Sequence, residues 1–158
     1  MSFTKDKDSD NYNTDKNGWE IIKKYIPTDK VIWSPFYCDG RQKDYFREMG
    51  LEIIHEDRDF FKYTPTYDLI IDNPPFSKFK TVCLRLKQID KPFIIIGFSK
   101  VFLLKWFQSL FKEHLQQIIP FKKLTFSHLN NPKKGYTPPF GTMYFCYKMN
   151  LAKDLIFI

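Results

Sequence analysis

Apolar residues along the chain occur in short continuous runs and at helical spacing, and the two patterns alternate. Continuous runs, typical of strands covered on both faces, predict strands at residues 30–33, 51–55, 67–71 and 91–98. Helical spacing and the Gly and Pro residues that bound it predict helices at residues 18–25, 42–49, 78–88 and 102–115. Two final strands are predicted at residues 117–126 and 143–149, joined by a Pro-, Gly- and Lys-rich loop.

Strands that alternate with helices indicate an α/β domain with a mostly parallel sheet and helices on both faces. The last two strands have no helix between them, which predicts a final antiparallel hairpin at the sheet edge. We predict a flexible leader over residues 1–13 and a single domain over residues 14–158. Ligands of such sheets bind at the carboxyl ends of the strands, so chemistry is expected after Trp33, His55 and Ile71.

Composition narrows the class of protein. The chain has 158 residues and 18% aromatic residues, among them 17 Phe, which predicts one folded domain with a substantial core. No apolar stretch approaches the roughly 20 residues that span a bilayer, and the polar N-terminus is unlike a secretory signal. Three widely spaced cysteines form neither a disulfide framework nor a metal-binding pattern. We therefore expect an intracellular protein with no metal, and a small Phe- and Lys-rich chain of this kind suits a viral or phage genome.

Charge is distributed unevenly along the chain. Residues 1–77 carry 11 Lys and Arg against 15 Asp and Glu, a net charge of −4. Residues 78–158 carry 14 against 3, a net charge of +11. A basic half of this kind favours a polyanion such as DNA or RNA as partner, with a generic solvated basic face as the alternative. The apolar residues 155–158 are expected to pack on the core or to form an oligomer contact.

The most informative motif follows the third predicted strand and reads Asp-Asn-Pro-Pro-Phe-Ser from residue 72. Each proline fixes φ near −65° and forces the preceding residue into extended geometry. The Asn73 side chain and the Pro74 carbonyl can then point outward as acceptors, with Phe76 beside them as a flat face. Two acceptors next to an aromatic ring suit a planar ring that bears an exocyclic amino group. The alternative is that Pro74 and Pro75 only terminate the strand.

The string Asn73-Pro74-Pro75-Phe76 resembles the (Asp/Asn/Ser)-Pro-Pro-(Tyr/Phe/Trp) motif of the class I amino-methyltransferases, which use S-adenosylmethionine. The resemblance implies a Rossmann-like fold and assigns catalysis to these four residues. It implies methyl transfer from S-adenosyl-L-methionine to the N6 amino group of adenine in DNA or RNA. The acceptors would stabilise charge that develops on the nitrogen, and Phe76 would stack on an extruded or single-stranded base. The alternatives are transfer to cytosine N4 or a glutamine amide, and a non-catalytic nucleic-acid-binding relative.

The loop after the first strand, from Ser34 to Gly40, resembles the family segment Asp-Pro-Phe-x-Gly-x-Gly, which approaches the methionine part of the cofactor. The chain keeps Pro35, Phe36 and Gly40, has Ser34 in place of the leading Asp and has Cys38 in place of the middle Gly. From the residues alone, Phe36 could be plain core and Gly40 a turn.

Further cofactor residues follow from the same resemblance. They comprise a ribose acceptor after the second strand, an adenine pocket next to it, and a closing segment near the N-terminus. The residues are Glu56 or Asp57 for the ribose, Asp59 and Phe60 for the adenine, and Thr14 and Trp19 for the closing segment. A solvated acidic turn is the alternative for the carboxylates, and core packing is the alternative for Trp19.

Substrate phosphates are expected on the basic half of the chain. The candidate contacts are Lys78, Lys80, Lys100, Lys133, Lys134 and Tyr136, with Lys122, Lys123 and Phe140 nearby. The chain is too short for a separate recognition domain, so specificity would come from loops, a partner protein or a second copy of the chain.

Overall fold

The computed structural model describes residues 10–158, apart from the side chains of residues 132 and 134. Its strands are β1 (Tyr12–Thr14), β2 (Val31–Trp33), β3 (Glu52–Ile54), β4 (Leu69–Asp72), β5 (Phe93–Phe98), β6 (Leu115–Ile119), β7 (Phe126–His128), β8 (Asn131–Tyr136), β9 (Thr142–Tyr147) and β10 (Leu155–Phe157). Its helices are α1 (Lys16–Glu20), α2 (Arg41–Glu48), α3 (Phe79–Ile89) and α4 (Lys105–Phe111). Short 3-10 turns lie at Lys23–Tyr25, Phe76–Lys78 and Ser99–Leu103.

Seven strands form the main sheet in the order β10-β6-β9-β5-β4-β2-β3. Neighbouring strands are parallel except β9, which runs antiparallel to both β5 and β6. The predicted α/β fold with a mostly parallel sheet is therefore confirmed, and the arrangement is Rossmann-like. Strand order reverses between β2 and β4, which places a switch point at the carboxyl ends of these two strands.

The centre of the sheet is buried on both faces. All six residues of β5 and all six of β9 are buried, and two apolar clusters lie on opposite sides of these strands. Trp19 and Phe46 lie in one cluster, and Phe107 and Phe145 lie in the other. A side chain at Gly97 would place its Cβ 2.4 Å from the Phe145 ring, so the close packing of β5 against β9 requires glycine there.

The predicted elements before residue 99 are found with boundaries shifted by a few residues, except that the helix expected over residues 18–25 is divided into α1 and the 3-10 turn Lys23–Tyr25. The later elements need more correction. The helix expected over residues 102–115 is divided into a 3-10 turn and α4, and Leu115 already begins β6. The strand expected over residues 117–126 is also divided, because β7 leaves the main sheet. The antiparallel pair β6–β9 exists, but it is not at the sheet edge, since β10 pairs in parallel with β6. In β10, Ile156 packs on the core, and Leu155 and Phe157 are exposed.

A second, three-stranded sheet has the order β1-β7-β8 and was absent from the prediction. Tyr12–Thr14 pairs antiparallel with β7, and Asn13 and Thr14 are buried. The folded part of the chain therefore begins before residue 14, which moves the predicted end of the leader toward the N-terminus. Residues 1–9 lie outside the described residues, and the division into leader and single domain otherwise stays a prediction. Within residues 10–158, no helix is long and apolar enough to cross a membrane.

Candidate active site

A cleft of about 240 Å³ opens at the switch point, between the carboxyl ends of β2 and β4. The N-terminal segment before and within β1 forms its other wall. The lining residues are Asp10, Asn11, Tyr12, Asn13, Thr14, Phe36, Tyr37, Cys38, Gln42, Asp72, Asn73, Pro74, Pro75, Phe76 and Leu129. The cleft thus brings the Pro-Pro motif, the loop after β2 and the N-terminal segment together, although they are far apart in sequence.

Asn73 presents a buried acceptor to this cleft. Its Oδ1 atom is shielded from solvent and has no hydrogen-bond partner in the structure. Its backbone N–H is held by the Asp72 carboxylate, with 2.8 Å between the nitrogen and Oδ1. A buried amide oxygen without a partner is costly for a folded protein. A ligand donor that reaches Oδ1 would supply the hydrogen bond that this atom lacks.

Phe76 forms an aromatic wall beside Asn73. Pro75 has φ −61° and ψ 125°, which keeps the chain extended before the 3-10 turn that begins at Phe76. The Phe76 ring packs on Phe98, with 4.2 Å between ring centroids, and lies 6.5 Å edge-on from Phe140. Phe140 in turn packs edge-on against Phe98 at 4.4 Å. Phe76 is only half-buried, so part of its surface stays available to the cleft.

Asp72 is the centre of a buried hydrogen-bond network. Its Oδ2 atom accepts from Ser34 Oγ at 2.8 Å and from the Phe36 backbone N–H at 2.7 Å. Its Oδ1 atom accepts from the Asn73 N–H and from Gln42 Nε2 at 3.3 Å. The side chain of Gln42 also donates to Ser34 Oγ at 2.7 Å. Burial raises the pKa of Asp72 to about 6, and the attraction of His55 and these donors partly oppose that rise.

His55 is a buried residue that contacts the loop after β2. It is 1% exposed, and its Nδ1 lies 2.8 Å from the Ser34 carbonyl oxygen. Since a carbonyl can only accept, Nδ1 carries the proton of this bond. The imidazole packs against the Tyr37 ring at 5.0 Å, and the buried Nε2 has no partner. His55 therefore holds the loop after β2 through Ser34 and Tyr37.

Two of the predicted cofactor residues line the cleft. Thr14 is 3% exposed, and its buried Oγ1 has no partner. Phe36 lies at the opposite wall, held through its N–H by Asp72. An unpartnered hydroxyl, an unpartnered amide oxygen and aromatic side chains suit a ligand with polar and apolar parts. In this respect the residues present fit a molecule such as S-adenosylmethionine.

Pro35 and Gly40 support the cleft without lining it. Pro35 is buried next to Phe36. Gly40 has φ +83° and precedes α2, and a Cβ there would come within 2.5 Å of the Tyr37 hydroxyl. The close approach that requires glycine here is to Tyr37, which itself lines the cleft, and an approach of Gly40 to the cofactor stays a prediction.

The predicted ribose and adenine residues lie outside this cleft. Glu56 accepts from Tyr63 and pairs with Arg58, and Asp57 is exposed. Asp59 caps its own turn by accepting from the Phe61 N–H at 2.9 Å. Phe60 is 4% exposed and packs against Trp33 and Phe36.

Trp19 also lies away from the cleft. It is wholly buried against Phe46 in the core, so it cannot contact a ligand there. The core alternative is the one found. Of the two residues predicted for the closing segment, Thr14 lines the cleft and Trp19 does not.

The predicted phosphate contacts lie on exposed surface. Lys78, Lys100 and Lys133 are exposed, and no carboxylate of residues 10–158 pairs with them. Lys80 lies over the Trp106 ring, with its Nζ 5.6 Å from the centroid. Tyr136 is 40% exposed and packs on Tyr12 of the cleft wall. Lys122 and Lys123 are exposed, whereas the side chain of Lys134 lies outside the described residues.

Several lining residues were missed in the sequence. They are Asp10, Asn11, Tyr12, Asn13, Tyr37, Cys38, Gln42, Asp72 and Leu129. Asp10 reaches the motif itself, where its carboxylate accepts from the side chain and the backbone N–H of Ser77. Asp72 carried a usable signal, because a carboxylate ending a buried strand needs partners. The N-terminal residues carried none, since their place depends on the unpredicted small sheet.

Similarity between this chain and known proteins is low. No protein-family model matches the chain, and no curated protein matches it. Among solved structures, the crystal structure of TrmN from Thermus thermophilus is similar with a TM-score of 0.39 and 9% sequence identity. The similarity covers 84% of this chain and 48% of that one, so this chain spans about half the length of TrmN. A likeness of this size carries no argument about function.

In the described part of the chain, no group of three or more His, Cys, Asp or Glu residues could hold a metal ion.

Proposed function

We propose that this chain transfers a methyl group from S-adenosylmethionine to the exocyclic N6 amino group of adenine in DNA or RNA. The observation that carries the proposal is the buried, unpartnered Oδ1 of Asn73 at the cleft, beside the half-buried Phe76 ring. An amino group on a planar ring would satisfy this acceptor, and the ring would stack on Phe76.

Asn73 and Pro74 would act on the amino nitrogen. The lone pair of an aromatic amine is delocalised into the ring, which makes the nitrogen a weak nucleophile. Acceptance of its two N–H bonds by Asn73 Oδ1 and the Pro74 carbonyl favours tetrahedral geometry and stabilises the positive charge that develops. The surplus proton then leaves to water. Reaction by this route needs orientation more than a strong base.

Thr14 and Phe36 are the residues of this cleft that would hold the cofactor, with Tyr37 beside them. When bound, S-adenosylmethionine would supply an activated methyl group, with its thioether as the leaving group. The role of the chain would be to hold the cofactor at Thr14 and Phe36 so that its methyl group lies close to Asn73. The carboxylates after β3 stay candidates for the ribose only if the turn that carries them moves toward the cleft.

The basic surface favours a nucleic acid over a small molecule as the acceptor. Residues 78–158 carry a net charge of +11, and the exposed Lys78 follows the motif directly. Lys100 lies in the 3-10 turn after β5. In that turn the Ser99 N–H donates to the carbonyl oxygen of Gly141, the residue after Phe140. Phosphates bound along such a surface would bring an unpaired or extruded base to Phe76.

The test is methyl transfer from labelled cofactor to single- and double-stranded DNA, structured RNA and protein, with digestion of the products and mass spectrometry. Asn73→Ala is expected to lose on the order of 10²–10³ in kcat, because one preorganised polar contact to the reacting group is lost. Asn17→Ala, at an exposed position in α1, is the matched control and is expected to keep full activity.

The outcomes separate the alternatives. N6-methyladenine formed by the wild type and lost in Asn73→Ala supports the proposal. A methylated cytosine N4 or glutamine amide would keep the mechanism and change the acceptor. Cofactor binding without transfer to any acceptor, or full activity of Asn73→Ala, contradicts it.

A further inference from the structure

We propose that Asp72 is a positioning residue that couples the loop after β2, on the cofactor side of the cleft, to the Asn73 loop on the acceptor side. The inference rests on the proposed function for its effect on catalysis. The coupling itself is a property of the fold that can be measured without any methyl transfer.

The geometry that carries this inference is the sharing of one carboxylate between two loops. Oδ2 accepts the Phe36 N–H at 2.7 Å, and Oδ1 accepts the Asn73 N–H at 2.8 Å. Both N–H groups belong to residues whose side chains line the cleft. A shift of the carboxylate would therefore move both walls of the cleft relative to each other.

The remaining bonds fix the carboxylate itself. Ser34 Oγ donates to Oδ2, and Gln42 Nε2 lies 2.7 Å from that hydroxyl and 3.3 Å from Oδ1. Asp72 is 1% exposed, so its carboxylate is largely shielded from bulk solvent. Four donors on one buried carboxylate leave it little freedom, which is the condition for precise positioning.

This arrangement does not serve stability alone. Burial disfavours the charged form of Asp72, as its raised pKa of about 6 records. A neutral side chain at this site would avoid that cost. The charged form is the one that accepts from both loops at once, because protonation would turn one acceptor position into a donor.

The charged and titratable groups around Asp72 come from several elements. They are His55 at the end of β3, Tyr37 and Cys38 in the loop after β2, and Asp10 in the N-terminal wall of the cleft. From β5, the neighbour in register is Ile95, which carries no charge. Burial raises the pKa of the Cys38 thiol to about 11, so it stays neutral near pH 6.

The test has a readout that needs no substrate. In ¹⁵N NMR spectra, the amides of Phe36 and Asn73 are expected to shift together, with one midpoint near pH 6, in the wild type. Ser34→Ala removes one donor to the carboxylate and should move that midpoint to higher pH. Asp72→Asn should abolish the shared transition. Asp68→Asn is the matched control, because Asp68 also bridges to β2, by accepting the Val31 N–H at 2.7 Å, but at the far end of β4.

Kinetics then test the consequence for catalysis. Asp72→Asn is expected to lower kcat on the order of 100-fold through misplacement of the reacting groups, with cofactor affinity changed much less. The kcat of the wild type should fall as pH drops through about 6, and this acidic limb should be absent in Asp72→Asn. Asp68→Asn should keep both the rate and the limb.

Two results would overturn the inference: amides of Phe36 and Asn73 that titrate independently or not at all, or an Asp72→Asn variant with unchanged kcat and pH profile. The first needs only the wild type, so it stands even if a variant does not fold. Amides that titrate together in a chain that methylates no acceptor would instead contradict the proposed function and leave the coupling intact.

Discussion

The ends of β4 and β3 both carry carboxylates, but the hydrogen-bond and ion-pair partners of these carboxylates differ. At the end of β4, the buried Asp72 accepts from four donors, and the neighbouring Asn73, which lines the cleft, has a buried Oδ1 without a partner. At the end of β3, Glu56 and Asp59 pair with residues of their own turn and with Tyr63. Polar groups that are buried and mutually supported keep a fixed geometry, which a reaction requires. Carboxylates that are paired locally at the surface are held less firmly, because solvent competes for their partners.

The largest effect is expected at Phe60, which follows Asp59 in the turn after β3 and is buried in the core. Phe60→Ala would leave a cavity beside the Trp33 and Phe36 rings, on which the Phe60 ring packs. The free energy of unfolding should fall by about 3–5 kcal/mol. Denaturant unfolding measures it. Phe61→Ala is the control, because Phe61 is 37% exposed and should cost far less. Similar losses in the two variants would remove the distinction between core and surface at this turn.

Next comes the dependence of stability on pH, which should distinguish the buried Asp72 from the exposed carboxylates. The pKa of Asp72 is raised from its ordinary 3.8 to about 6, so the folded chain holds this proton more tightly than the unfolded chain. Asp72 therefore adds stability below about pH 4, and this contribution is lost as pH rises to about 6. The slope is at most about 1.4 kcal/mol per pH unit for one proton.

Urea unfolding of the wild type and Asp72→Asn between pH 4 and 7 measures this contribution as a difference. The wild type should lose stability relative to the variant as pH rises through the window. A difference that is flat, or that rises with pH, contradicts the assignment of a buried acid to this position.

Phe76 should affect substrate rather than the fold. Phe76→Ala is expected to weaken binding of the acceptor by about 1–3 kcal/mol, because the stacking face is lost. Phe76→Tyr keeps the ring and should keep most of the affinity. Fluorescence anisotropy with a labelled oligonucleotide measures both. Equal affinity of the wild type and Phe76→Ala would exclude Phe76 as the base platform.

A smaller effect is expected from the basic surface. Lys100→Ala should weaken binding for every sequence alike and reduce the slope of log K against log salt concentration by about 1. Lys112→Ala is the control, since Lys112 follows α4 beside a separate pocket that contains Asp90 and Tyr147. Binding titrations at several salt concentrations compare the two. The same slope change for both would indicate a diffuse charge effect rather than a contact near the cleft.

The smallest effects are expected at the end of β3. Glu56→Gln should change cofactor affinity only slightly, because its partners Tyr63 and Arg58 lie within its own turn. Asp57→Asn tests the other ribose candidate in the same calorimetric titration. A large loss of affinity in either variant would show that this turn closes on the cofactor, and it would restore the role implied by the family resemblance.

The strand before the motif and the Asn-Pro-Pro-Phe platform were predictable, because apolar runs and prolines act locally. A ligand cleft at the carboxyl ends of the parallel strands was predictable from the alternation of strands and helices. The partners of Asp72 were not predictable, since its bonds to Ser34, Phe36 and Gln42 span about 30 to 40 residues of chain. The N-terminal wall also depends on the pairing of β1 with β7, a contact across more than 100 residues that no local pattern encodes.

The most direct test of the account is methyl transfer by the wild type, Asn73→Ala and Asn17→Ala to single- and double-stranded DNA and to RNA, with mass spectrometry of the digested product. The account predicts N6-methyladenine from the wild type and from Asn17→Ala, and almost none from Asn73→Ala, which should still bind the cofactor. Methylation that survives in Asn73→Ala, or no transfer to any nucleic acid by a wild type that binds the cofactor, would contradict it.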